Sequence, residues 1–266
     1  MITKQEIDEF INKIPPSPKI LVECIKYLNI GELTKAAKVA EGDLALKSYL
    51  KHIVNKPIYG FKNEVSDIAQ IFAIFGVCMS QQVVYNYMIS LLSPNKWELF
   101  KLNKRLFYEL QAQLSKKWEI ILKYLNIQDA QIYSAITLLP SSIIVTEALF
   151  CNKKDEISLL RTTKNLDYNT ILKRLCGFDI FDICQEIAKK WDMGEKIAKI
   201  TQASSGIKPS NDKNINELGK WMHLLLFYEL SQSQFIEAGL NDFIDFNVEY
   251  VSDIYEKFAS LMEIKE

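Results

Sequence analysis

The stretch Asp43-Leu44-Ala45-Leu46-Lys47-Ser48-Tyr49-Leu50-Lys51-His52-Ile53-Val54-Asn55-Lys56-Pro57-Ile58-Tyr59-Gly60 decides the fold class. Asp43 suits a helix cap, because its carboxylate accepts hydrogen bonds from amides that the first turn leaves free. Leu46, Leu50, Ile53 and Val54 then recur at three- and four-residue spacing, the period of one helix face. Lys56-Pro57 stops the helix, since proline disfavours helical geometry in the residue before it. Ile58-Tyr59-Gly60-Phe61 follows as a turn. The same order of cap, apolar stripe and stop recurs in both directions from here.

Toward the amino terminus, Thr3-Lys4-Gln5-Glu6 reads as a capping box ahead of Ile7, Phe10, Ile11 and Ile14, and Pro15-Pro16 ends that helix. Ser17 before Pro18 reads as the cap of the next, with Ile20, Leu21, Cys24, Ile25 and Leu28 as its buried stripe. A short helix over Glu32–Ala40 precedes Gly42. Downstream, Ser66 or Asp67 opens a helix that Gly76 closes, and Ser80–Leu92 is apolar on nearly every side, as a helix buried from several directions would be. Ser93-Pro94-Asn95 is the best internal boundary. Beyond it come a long helix over Trp97–Leu125 with room for one break, a helix over Asp129–Leu139 stopped by Pro140, and Ile143–Phe150, the one run that could pass for a strand, whose neighbours favour a buried helix. Shorter helices are expected at Asp155–Leu160, Tyr168–Leu175, Phe181–Trp191 and Glu195–Ala203, then a loop at Ser204–Pro209, then helices over Asn216–Ser231 and Asn241–Met262. The expectation is an all-α, multi-helix globular bundle.

Composition agrees. Only 9 Gly and 7 Pro occur in 266 residues, too few for a sandwich or barrel that turns about every ten residues. Charge is nearly balanced, at 32 basic against 33 acidic residues, which gives no case for nucleic acid. It is unevenly spread, about +1 over residues 1–92, about +4 over 93–206 and about −6 over 207–266. The acidic end either lies against the basic middle or faces a basic partner, a solvated polar face being the plainer reading. Five cysteines form an odd set without a C-x-x-C pair, and Met1–Glu6 shows no secretory leader. The apolar runs fall short of the ~20 residues of a membrane span. These features imply a reducing, cytoplasmic setting and no membrane.

Catalytic signatures are scarce. His52 and His223 stand far apart and outside any metal-binding spacing, so each reads as structural. There is no phosphate-binding glycine loop and no nucleophile elbow. In the lysine-rich stretch 96–123, Trp97, Tyr108 and Trp118 fall on the apolar period, so core packing is favoured over nucleic-acid binding.

Four segments in order then carry a family resemblance: Ile14-Pro15-Pro16-Ser17-Pro18, Gly42–Leu50, Asn55-Lys56-Pro57-Ile58-Tyr59-Gly60, and Val65–Gly76. Together they resemble the HDOD domain family, whose opening proline motif, "DPxLxxxLL" helix, "NSxxYG" turn and following helix run in this order. Leu44 replaces the usual proline, and Lys56-Pro57 the usual serine after asparagine. The resemblance spans residues 14–206, with an amino-terminal helical part to about residue 92 and a degenerate HD-like part from about residue 93. Residues 1–13 form a preceding helix, and 207–266 complete the body. HDOD proteins are all-α relatives of the HD phosphohydrolases, which hold metal through histidine and aspartate. The resemblance places the His-Asp pair at Leu139-Pro140, the upstream histidine near Leu110, a later one near Ile180 and a final pair near Ala203-Ser204, with no histidine at any of them. It therefore implies no enzyme, no catalytic residue, no metal and no cofactor. The implied role is bacterial signal transduction through an unidentified protein partner, with Ile58, Tyr59 and Phe61 as candidate contacts. The alternatives are a degenerate site that binds a nucleotide or other small ligand without hydrolysis, and a hydrolase with other ligands.

Overall fold

Side-chain caps set most helix starts. Thr3 and Glu6 form the reciprocal capping box of α1 (Lys4–Lys13). The computed structural model describes residues 2–14, 17–241 and 243–263, leaving the side chains of Ile58 and Glu263 outside that description, as well as the Pro15-Pro16 stop. Next come α2 (Lys19–Asn29), α3 (Leu33–Ala40), α4 (Leu44–Val54), α5 (Ile68–Ser90), α6 (Lys104–Tyr124), α7 (Ala130–Ala135) and α8 (Leu139–Phe150). Then follow α9 (Lys154–Lys164), α10 (Tyr168–Cys176), α11 (Ile180–Lys190), α12 (Glu195–Ala203), α13 (Lys213–Leu230), α14 (Ser233–Glu237), α15 (Val248–Val251) and α16 (Tyr255–Glu263). Asp43 accepts from the amides of Ala45 and Leu46, each at 2.9 Å, and Asp67 accepts from Gln70 at 2.7 Å. Helix accounts for 72% of the described residues and no strand occurs among them, which is the all-α class expected.

Helix α5 is the spine. From Met79 to Ser90 every residue is buried. α2, α3 and α4 pack on it from the amino-terminal part, while α6, α7 and the 3-10 turn Ile136–Leu138 pack on it from the other. Gly76 breaks the helix where an end was expected. Its backbone (φ 69, ψ −178) kinks α5 into two arms, in a conformation that glycine reaches without a Cβ clash. Two stretches, Ile68–Ser90 and Ala130–Lys164, are long and apolar enough to cross a membrane, which corrects the expectation that every such run falls short. Both lie largely inside the fold, and the second is interrupted by 3-10 turns.

The buried arm of α5 carries serine, glutamine and asparagine side chains whose donors all find acceptors, on neighbouring helices or on α5 itself. Gln82 donates to the Tyr133 carbonyl, Asn86 to Ser115 Oγ, and Gln111 back to the Asn86 carbonyl, all at 2.9 Å. Gln82 and Asn86 lie one turn apart on α5, as Gln111 and Ser115 do on α6, so this ladder fixes the axial register of the two helices.

Four other expectations need correction. Ser17 does not cap α2; Pro18 occupies that position and the Ser17 hydroxyl finds no partner. Trp97–Asn103 is not helical, because the amides of Glu98, Leu99 and Phe100 turn together onto the carboxylate of Glu147 at 2.6–3.2 Å, and α6 starts only after Asn103 caps Leu106. Pro140 does not stop a helix but sits in the first turn of α8, where its missing N–H costs nothing. The expected helix over Asn241–Met262 is split, with Phe243 and Ile244 tucked into the core ahead of α15 and α16.

That last break is stapled by His223 on α13. Its Nδ1 donates to the Ser204 carbonyl at 2.8 Å, and its Nε2 accepts the Asn247 amide at 3.2 Å, so the two bonds select the Nδ1–H tautomer. Tail and middle also meet in a buried ion pair, Lys117 with Glu229 at 2.9 Å, so part of the acidic end does lie against the basic middle. All five cysteines are free thiols, with Cys24 and Cys184 buried.

Two outcomes follow for stability. Glu147→Ala removes the acceptor of three amides, that of Phe100 buried, and should cost about 2–4 kcal/mol in urea unfolding, with residues 97–103 the first to exchange their amide hydrogens. A loss below roughly 1 kcal/mol would mean that the carboxylate does not organise this segment. Burial lowers the His223 pKa from 6.5 to about 4. As pH falls, the unfolded chain takes up a proton before the folded one, so the staple's contribution is whole above about pH 6.5 and is lost towards pH 4, about 3 kcal/mol in all. Unfolding measured across this range should show that slope, and His223→Gln should flatten it.

Candidate functional site

The turn after α4 is closed by one side chain. Asn55 Nδ2 donates to the carbonyls of Lys51 (2.8 Å) and Val65 (2.9 Å), while its Oδ1 accepts the Val65 amide at 2.8 Å. This two-way bridge holds residues 56–64 as a closed loop. Within it Pro57–Tyr59 forms a 3-10 turn, and Gly60 takes a left-handed conformation (φ 69). Of the three expected contact residues, Tyr59 is half-buried with its ring 5.4 Å from that of Phe75, and burial pushes its hydroxyl up to about 12. Phe61 is 43% exposed. The Ile58 side chain lies outside the described residues. The structure thus separates a packed aromatic from a presented one.

Lys56 ties this loop to α6 by donating to the Tyr108 carbonyl at 3.1 Å. Between α4, the loop and the first turns of α6 run two adjoining clefts of about 620 and 550 Å³ that meet at His52 and Arg105. The first is bounded by Lys51, Lys56, Glu64 and Glu109, the second by Ser48, Tyr87, Lys104 and Tyr108. Tyr49 forms the floor of the second, its ring 5.2 Å from Tyr87 and 5.1 Å, edge-on, from Tyr108. His52 is exposed rather than in the core. Partial burial, with the positive charges of Lys56 and Arg105, holds its pKa below the ordinary value. Lys56 is lowered too, first by burial and also by Arg105, against the pull of Glu109. Sequence reading missed these cations because α4 and α6 are some fifty positions apart, although Lys104-Arg105 at a helix start was a visible signal.

The positions that the family resemblance assigns to metal ligands lie elsewhere, in the interior. Leu110, Leu139, Pro140, Ile180 and Ala203 are all buried. Nearby hydroxyls are not free to replace ligands, since Ser141, Ser142, Thr201 and Ser204 each donate to a backbone carbonyl of their own segment. One expectation is revised through space: His223, distant in sequence, reaches the Ser204 carbonyl. Both of its ring nitrogens are engaged, so neither offers a lone pair to a metal. Among the described residues no group of three His, Cys, Asp or Glu side chains converges.

Comparison with known proteins adds a family. No curated protein matches the chain. A crystal structure of an HDOD domain protein of unknown function from Geobacter sulfurreducens shares the fold, with a TM-score of 0.67 at 14% identity over 97% of this chain and 95% of that one. A virulence factor from Campylobacter jejuni is 18% identical over 96% of this chain and 99% of its own, with a TM-score of 0.40 that carries no argument. The HDOD domain family itself matches residues 14–206, most of the chain. The protein belongs to the HDOD domain family.

Proposed function

We propose that this chain is a non-enzymatic regulatory protein that acts by binding another protein. The observation that carries the reading is the filling of the HD-derived positions. Leu110, Leu139, Pro140, Ile180 and Ala203 offer no lone pair to a divalent ion and are packed among other buried side chains. Without imidazole or carboxylate ligands there, a metal cannot be held to lower the pKa of a bound water. The same packing disfavours a ligand that would enter this interior, because it would have to displace close-packed side chains. A signalling role in a bacterial cell is what family membership suggests, and a partner contact would bury about 800 Å² on each side.

The presented aromatic on the closed loop is the proposed anchor of that contact. An exposed ring held on a constrained backbone loses little conformational entropy when it docks.

Protein purified without chelators should contain far less than one metal ion per chain and should not hydrolyse phosphomonoesters or nucleotides when manganese or magnesium is added. One equivalent of iron, manganese or zinc per chain, or turnover that follows the protein through purification, would overturn the reading. Phe61→Ala should change stability by less than about 0.5 kcal/mol yet abolish rescue of a deletion strain. Tyr59→Ala should instead cost about 2 kcal/mol through its lost packing on Phe75. Full rescue by a well-folded Phe61→Ala variant would remove Phe61 from the contact.

A further inference from the structure

We infer that the paired clefts between α4 and α6 receive an extended acidic segment of a partner protein. The inference rests on the protein-binding reading above and names the chemistry of the partner.

Charge is the first argument. Lys51, Lys56, Lys104 and Arg105 border the clefts, and among the described residues none of them forms an ion pair. Lysines on neighbouring surfaces do find carboxylates, as Lys35 does with Glu32, and Lys116 and Lys123 with Glu119. The cleft cations instead line the two adjoining clefts, with Arg105 common to both. Among the described residues, the Lys56 ammonium bonds a neutral carbonyl. Burial lowers the His52 pKa first, and the positive charges of Lys56 and Arg105 add to it, while at Lys56 Glu109 opposes the effect of Arg105.

Backbone polarity adds to it. α6 is 21 residues long and opens at Lys104 and Arg105, so the positive end of its dipole lies beside two cations. Glu64 and Glu109 border only the far cleft, so the field is graded along the groove. An occupant would therefore lay its carboxylates toward Lys104 and its neutral or basic residues toward Glu109.

Shape selects a peptide over a compact anion. The groove follows α6 from Lys104 to Gln113, about 14 Å at a rise of 1.5 Å per residue. About four extended residues at ~3.3 Å each span that length. The cations are distributed along this path and do not close around one point, which suits carboxylates spaced on a chain. Tyr108, half-buried between the two ends, offers a ring against which aliphatic stems of Glu side chains can pack.

The test is fluorescence anisotropy of fluorescein-labelled hexaglutamate with the full chain at low salt, with labelled hexalysine as comparator. Hexaglutamate should bind and hexalysine should not. Lys104→Glu with Arg105→Glu, both exposed positions, should weaken binding at least about tenfold, while Lys173→Glu with Arg174→Glu on α10 should change it less than about threefold. Circular dichroism and thermal melting verify that each variant is folded. Equal losses from both pairs would mean diffuse attraction and would overturn the inference. Tripolyphosphate that binds while hexaglutamate does not would assign the groove to small phosphates and overturn it as well. A photo-crosslinker at position 61 in cells separates the two readings. A partner captured there, with hexaglutamate indifferent to the cleft, would sink the acidic-segment inference and leave the protein-binding function standing.

Discussion

Burying α5 on every side obliges the side-chain donors on its inner arm to find acceptors within the protein. An unpaired amide in that setting costs more than the bond itself returns. Gln82, Asn86 and Gln111 place their amide donors on acceptors across α5, α6 and α7, an arrangement tied to one axial register. A slip of one residue would swing the donors away from their acceptors. The apolar contacts around α5 supply the bulk of the stabilisation, whereas the ladder specifies which of several apolar packings is adopted. α2, α3 and α4 then rest on a helix whose position is already determined, and the loop clamped by Asn55 inherits its orientation from α4.

The same economy governs the interior that an HD enzyme would devote to metal. Imidazole and carboxylate ligands need a wet, open cavity with room for water. Leu139, Pro140 and Ile180 turn that space into packing volume, and the surrounding hydroxyls fold back on their own carbonyls. The remaining charged chemistry is displaced outward to the groove between α4 and α6, where side chains stay hydrated and exchangeable.

What was legible in the sequence was local. Asp43, Asp67 and the Thr3–Glu6 box announce helix starts because a cap acts within three residues. The Asn55–Gly60 turn was legible for the same reason, and its order among neighbouring motifs pointed to the family. Pro140 was misread because one residue type both ends helices and begins them, and only the following residues' packing decides. Trp97–Asn103 has a helical apolar period, but the carboxylate that overrides it comes from Glu147, nearly fifty positions on. The groove was illegible on the same grounds, since its two walls belong to helices joined only by folding. The approach of His223 to Ser204 is likewise a property of how α13 packs on α12.

The stretch matched to the family begins at residue 14, yet α1 ahead of it is built into the same core. Ile7 is fully buried, Lys153 bonds Glu6 at 2.7 Å, and Lys190 donates to the carbonyls of Ile11 and Asn12. These contacts reach α1 from the other end of the domain and act as a strap over α8 and α11. The unit shared by descent and the unit that folds are therefore different lengths of chain. Cutting at the shared boundary would uncover apolar surface on α8 and α11 that α1 shields, leaving a fragment with a sticky flank. The extra helix is part of the folded body.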